Sequence, residues 1–178
     1  MIRNTLRGLA AATALIAAVS SSSAAQAPTN ESRFGVNAGI ALPMGDFGDA
    51  AELGFHLGGH IQMPLGEMLK LRVNGDFGSY GLPDGVDGSW TLLGGMANIV
   101  LPITTSSALK PYVFGGLGMY KWKIDIDGLG AIDDTKLAFN VGAGYDFGKN
   151  FFTEIRFLSI QTDGDALNTL PIVIGLRF

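Results

Sequence analysis

The sequence predicts an all-β chain closed as an eight-stranded antiparallel, up-and-down transmembrane β-barrel. Three observations carry the prediction. The chain ends on a strict period-two segment, with Leu170, Ile172, Ile174, Leu176 and Phe178 on one parity and Pro171, Val173, Gly175 and Arg177 on the other. That is the alternation of a strand with one greasy face. Segments of similar length recur between turn-forming clusters along the chain. Glycine supplies 26 of 178 residues, about twice its usual share of roughly 7%. The glycines follow no collagen-like period, and many fall inside alternating segments, where a small inward residue lets a narrow barrel close.

The first 25 residues read as a secretory signal. Arg3 and Arg7 form a positive start, Gly8 to Val19 is apolar, and Ser20 to Ala27 is small and polar, the order of a cleaved leader. The apolar stretch is shorter than the roughly 20 residues a transmembrane helix needs. Cleavage fits after Ala25 or after Ala27, and the first is preferred because the second leaves Pro28 at the new terminus. No cysteine lies near the cleavage region, which excludes a lipoprotein anchor. Residues 26–178 then form one domain of about 150 residues. Loss of Arg3 and Arg7 leaves 10 basic residues against 16 acidic, a balance that argues against nucleic-acid binding. With no cysteine at all, stability rests on hydrogen bonding and packing.

The elements follow in order. The first strand is expected over 34–42, with Phe34, Val36, Ala38, Ile40 and Leu42 outward and Pro43 ending it. An acidic loop follows, with Asp46, Asp49 and Glu52. The second strand, 53–63, sets Leu53, Phe55, Leu57, Ile61 and Met63 against Gly54, His56, Gly58, His60 and Gln62, and a turn covers 64–67. In the third, 69–80, Leu69, Leu71, Val73 and Phe77 alternate with Lys70, Arg72, Asn74, Asp76 and Tyr80. The fourth, 90–101, is apolar on both parities, and Asn98 favours even numbers inward. The fifth, 110–123, carries Tyr112, Phe114, Tyr120 and Trp122 on one parity and Val113, Leu117 and Met119 on the other, which leaves its facing open. A loop over 124–134 leads to the sixth, 135–147, with strict alternation. The seventh spans 151–162, and 163–166 leads to the last.

Ten residues at about 3.3 Å each, tilted by about 40°, rise roughly 25 Å, the height of the apolar band of an outer-membrane barrel. An even strand number returns both termini to one side. With the C-terminus periplasmic, 64–67, 102–109 and 148–150 are periplasmic turns, and the segments near 43–52, 81–88, 124–134 and 163–166 are extracellular loops. Pro43, Pro64, Pro83, Pro102 and Pro111 fall at strand ends or in loops, where no ladder donor is lost. Pro171, inside the last strand, is expected near the outer rim.

Four segments, FGVNAGIALPMGDFG from Phe34 to Gly48, KPYVFGGLGMY from Lys110 to Tyr120, VGAGYDF from Val141 to Phe147 and the closing GLRF, make the chain resemble the small outer-membrane β-barrels of Gram-negative bacteria. That group contains the OmpA transmembrane domain and OmpX-like proteins. The resemblance covers nearly the whole mature chain and implies an outer-membrane location, contact with lipid and lipopolysaccharide, and recognition of the terminal Phe178 by barrel-assembly machinery. Its motifs specify architecture more than activity. A soluble lipocalin-like barrel would also have eight strands, but would turn its apolar residues inward.

Lys70, Arg72, Asp76, Asp146, Glu154, Arg156 and Arg177 form the expected interior polar network. An interior only just wide enough for side chains favours mutual pairing over a pore. His56 and His60 share a face, but four residues separate them by roughly 13 Å, too far to hold one metal ion. No nucleophile and base pair by spacing, and the His-x-Ser arrangement of lipid A deacylase barrels is absent, so no enzyme and no cofactor are expected. Eleven acids lie in or beside the expected outer loops. Asp125 and Asp127 are the best metal candidates there, although the remaining ligands of a calcium loop are missing, and solvated turn formers are the plainer reading. Lys121 and Lys123 are placed to meet lipid phosphates. The expected role is structural or envelope-stabilising, with surface interaction through the loops as the alternative.

Overall fold

The computed structural model describes residues 32–83, 86–104 and 110–178. The leader, both cleavage points and Asp84 lie outside them. The elements are β1 (Arg33–Met44), α1 (Asp46–Ala50), β2 (Gly54–Leu65), β3 (Leu69–Gly81), β4 (Gly88–Pro102), β5 (Lys110–Ile126), β6 (Gly130–Phe147), β7 (Phe151–Ile160) and β8 (Leu167–Arg177). Each strand pairs antiparallel with the next, and β1 also pairs with β8, closing an eight-stranded barrel.

The register fixes its shape. The rungs run Phe34–Ile61–Val73–Ala97–Leu117–Phe139–Ser159–Asn168 around the wall and return to β1 at Met44, ten residues above the start. A stagger of ten over eight strands, at about 3.3 Å per residue and 4.8 Å between strands, tilts each strand by about 40°. A barrel this narrow is filled by side chains.

The facing is apolar out and polar in. Phe34, Val36, Phe55, Leu57, Val73, Val141 and Ile174 are exposed, while His56, His60, Arg72, Asp76, Glu154, Arg156 and Arg177 are buried. A lipocalin-like barrel would show the reverse, so that reading falls. The two strands left open take even numbers inward. In β5 the reason is steric. Tyr112, Phe114 and Tyr120 lie over glycines of the flanking strands, where a Cβ on Gly144, Gly142 or Gly94 would approach those rings to 2.8, 2.5 and 2.4 Å. Large residues on one strand thus fit the small ones beside them.

Several boundaries move. β1 and β2 run through Pro43 and Pro64, whose rungs are at strand ends opposite Thr169 and Lys70. The expected loop over 124–134 shrinks to a turn at 127–129, because β5 and β6 stay paired out to Ile126 and Gly130. Beyond the membrane a hairpin needs no apolar face, so a polar, Asp-rich sequence extends it without any period-two signal. β7 stops at Ile160 rather than 162. Pro171 is fifth of the eleven residues of β8 rather than at its rim, where the ladder to β7 lacks rungs between Ile155–Ile172 and Leu158–Thr169. A proline has no N–H to donate there.

Candidate functional site

The interior is built in layers along the barrel axis. Nearest Phe178, Arg177 of β8 donates to Asp146 of β6, to Tyr112 Oη at 2.8 Å and, through Nε, to His60 Nε2 at 3.3 Å. Its guanidinium also lies 4.3 Å from the centre of the Phe152 ring, a cation–π stack.

One step inward, Arg72 of β3 reaches across to Glu154 of β7 at 2.5 Å, and its Nε and Nη2 donate to Gln62 Oε1 at 3.2 and 3.0 Å. Tyr112 donates its hydroxyl proton to the same Glu154 oxygen at 2.7 Å. The next layer centres on Asp76. Arg156 grips both its oxygens, at 3.2 and 3.3 Å, Tyr120 donates at 2.8 Å, and Asn74 donates as well. His56 Nε2 lies 2.9 Å from Arg156 Nη2 and 3.2 Å from Asp76 Oδ1. Each buried charge meets an opposite charge and further hydrogen bonds, the condition for tolerating it away from water.

The strand period explains why these groups converge. Arg72, Asn74 and Asp76 are alternate residues of β3, as Glu154 and Arg156 are of β7, so each set points to one face. The structure thus gathers Arg72, Asp76, Asp146, Glu154, Arg156 and Arg177. Lys70 stands apart, half-buried, with no ion pair within 4 Å among the described residues. The sequence pattern gave no sign of Tyr112, Tyr120, Gln62 and Asn74 as partners, because a neutral side chain on the inward parity carries no charge to flag it.

The far end is apolar and closed. The short helix α1 folds into the mouth and buries Phe47, whose ring meets Tyr80 edge-on at 5.2 Å and Trp90 at 5.4 Å. Trp90 donates its indole N–H to Ala50 O at 3.0 Å. Leu92, Leu158, Ile160 and Leu167 pack beneath. A helix stands here in place of the acidic loop that the sequence predicts. Its one signal was an aromatic residue between Asp46 and Asp49.

Beyond that mouth the β5–β6 hairpin projects past β7, since the last β6–β7 rung is Ala138–Ile160 while β5–β6 rungs continue to Ile126–Gly130. On it Asp125 pairs with Lys123 at 2.8 Å and Lys121 with Asp133 at 2.7 Å. Lys136 bonds Asp163 at 2.6 Å and Asp134 at 3.1 Å. These contacts raise the Lys136 pKa. The Thr135 N–H first, then Lys136, lower that of Asp134. Asp127 is in the turn, its N–H donating to Asp87 O at 3.0 Å. Asp125 is therefore engaged by a lysine, and no group of three metal-ligating side chains forms among the described residues. Phe178, largely exposed, donates its N–H to Phe34 O at 2.8 Å across the β1–β8 seam.

A family model described as "Outer membrane protein beta-barrel domain" matches residues 11–178. No curated protein matches the chain. Among solved structures, Neisserial surface protein A is similar at 18% identity and a TM-score of 0.60, over 82% of this chain and 95% of that one. Ail, the attachment invasion locus protein of Yersinia pestis, is similar at 19% identity and a TM-score of 0.56, over 84% and 99%. The N-terminal β-barrel domain of Pseudomonas aeruginosa OprF is similar at 20% identity and a TM-score of 0.50, over 82% and 97%. At these identities the likeness is one of fold.

Proposed function

The chain belongs to the outer-membrane protein β-barrel family, and from that premise we propose that it is a non-conducting structural barrel of the outer membrane, without catalytic chemistry, that stabilises the envelope. The barrel end that carries Arg33 and Phe178 faces the periplasm, and the projecting hairpin faces outward. The observation that carries this reading is the filled interior. Crossing ion pairs between β3 and β7 occupy the lower lumen, and Phe47 with Tyr80 and Trp90 closes the upper one. Eight strands leave little room for anything else.

The test pairs two measurements. Purified barrel in a planar bilayer should show no step conductance, and cells lacking the chain should become more sensitive to detergents and bile salts. Steady porin-like steps would overturn the non-conducting part. An unaltered envelope would overturn the stabilising part.

A second reading, surface interaction, rests on the hairpin. Leu129 and Ile132 are 84% and 68% exposed on it, and among the described residues β6 has no partner strand on its β7 side beyond the bond from Gln161 N–H to Leu137 O, an open edge of the kind other chains pair with. Replacing 124–134 with a short turn should leave the barrel folded. Loss of cell adhesion with an intact envelope would favour this reading.

A further inference from the structure

We propose that the cavity at the barrel end carrying Arg177 is a binding site for a phosphate group. It has a volume of about 240 Å³ and is lined by Gln62, Lys70, Lys110, Tyr112, Asp146 and Arg177 among others. That volume accommodates a tetrahedral oxyanion with part of its hydration.

The argument is one of charge. The charged groups that line the cavity are three cations, Lys70, Lys110 and Arg177, and one carboxylate, Asp146. Arg72 is matched by Glu154 and Arg177 by Asp146. Lys110 is directly opposite Asp146 in the β5–β6 register, yet that carboxylate turns to Arg177. Lys70 and Lys110 are left without an ion pair within 4 Å among the described residues, on two strands separated only by β4, and both line one cavity.

The surplus is two positive charges. A phosphomonoester carries about −1.5 to −2 at neutral pH, so one such group balances both lysines, whereas a carboxylate balances one. Tyr112 and Gln62 add neutral polar groups on the wall. Lys110 is exposed at the first residue of β5, so the cavity is entered from solvent at the rim, where both free phosphate and a lipid headgroup have access.

The experiment uses the mature barrel folded in non-ionic detergent, titrated calorimetrically with inorganic phosphate, with short-chain phosphatidic acid, and with acetate. Phosphate binding that weakens by about tenfold or more in K70Q/K110Q, as expected for lost charge-assisted hydrogen bonds, and stays unchanged in K136Q at the other end, supports a site open to free phosphate. Binding of phosphatidic acid alone, weakened likewise, supports a lipid headgroup. No binding of either, equal binding of acetate, or binding indifferent to K70Q/K110Q overturns the proposal. Heat-dependent gel mobility checks the fold of each variant. Should the double variant fail to fold, K110Q alone, at an exposed strand end, supplies the same comparison.

Discussion

Replacing Glu154 with glutamine keeps the side chain's shape and removes one charge from the centre of the barrel. Its oxygen receives Arg72 at 2.5 Å, Tyr112 at 2.7 Å and, more distantly, Arg177 at 3.4 Å. Arg72 and Glu154 are both almost wholly buried, their side chains 3% and 5% exposed. Unit charges about 4 Å apart at an effective dielectric of about 20 attract by about 4 kcal/mol. Breaking one partner of a buried pair costs about 3–5 kcal/mol. The assay is urea unfolding of the barrel in phosphatidylcholine vesicles, followed by the fluorescence of Trp90 and Trp122. With a slope of about 2 kcal/mol per molar, the midpoint should fall by about 2 M. Arg72→Leu should fall similarly and leave sorting to the membrane intact. The double change Arg72→Met with Glu154→Leu should recover most of the loss, since neither charge is then stranded. A midpoint shift under about 0.5 M for Glu154→Gln, or a double variant as weak as the two singles summed, would refute the reasoning.

Phe47→Ala should loosen the plugged mouth at a cost of about 3 kcal/mol, seen as faster amide exchange over residues 45–52 with the rest of the barrel still protected. A side chain on Gly39 would place its Cβ 2.0 Å from the carbonyl oxygen of Ile172, so Gly39→Val should obstruct the β1–β8 seam and lower the fraction that folds, scored by heat-dependent gel mobility. The Asp134–Lys136–Asp163 cluster is at the solvated rim. Because Asp134 titrates below its ordinary value, its contribution is present above about pH 4 and is lost as pH falls through the lowered value. Lys136→Gln should therefore lower the unfolding midpoint slightly at pH 7, leave it unchanged in acid, and so flatten its acid dependence. Deleting Phe178 should reduce the amount of barrel reaching the outer membrane, measured by fractionation, without altering refolding of the purified chain.

Strand number, closure and facing were legible because a membrane barrel reverses the usual partition, and the reversal appears as alternation on every strand that has a charged or glycine-rich inner face. β3 and β6 show it most clearly. It faded where the lumen itself turns apolar. Leu92 and Met96 of β4 face inward beside outward Leu93 and Ala97, so both parities of that strand are greasy. The charged interior residues were readable as a set but not as pairs, because partners such as Arg72 and Glu154 are 82 positions apart and meet only through the closed register. Lys70, assigned to that set, stays outside it, since Asp146 is taken by Arg177. The hairpin beyond the membrane was hidden for the opposite reason, as water satisfies both its faces and selects no pattern.

The two ion pairs that span the lumen join β3 to β7, strands that never touch in the wall. Neither bond can form in a hairpin, or in any sheet that remains open. A half-finished sheet in lipid would hold guanidinium and carboxylate groups with no partner at hand, at a cost of several kcal/mol for each stranded charge, together with an unpaired edge. The seam and the charges are therefore satisfied in the same step. The lumen acts as a latch that engages only when the last strand meets the first, so intermediates short of that point have their ladder hydrogen bonds but not the ion pairs of the lumen.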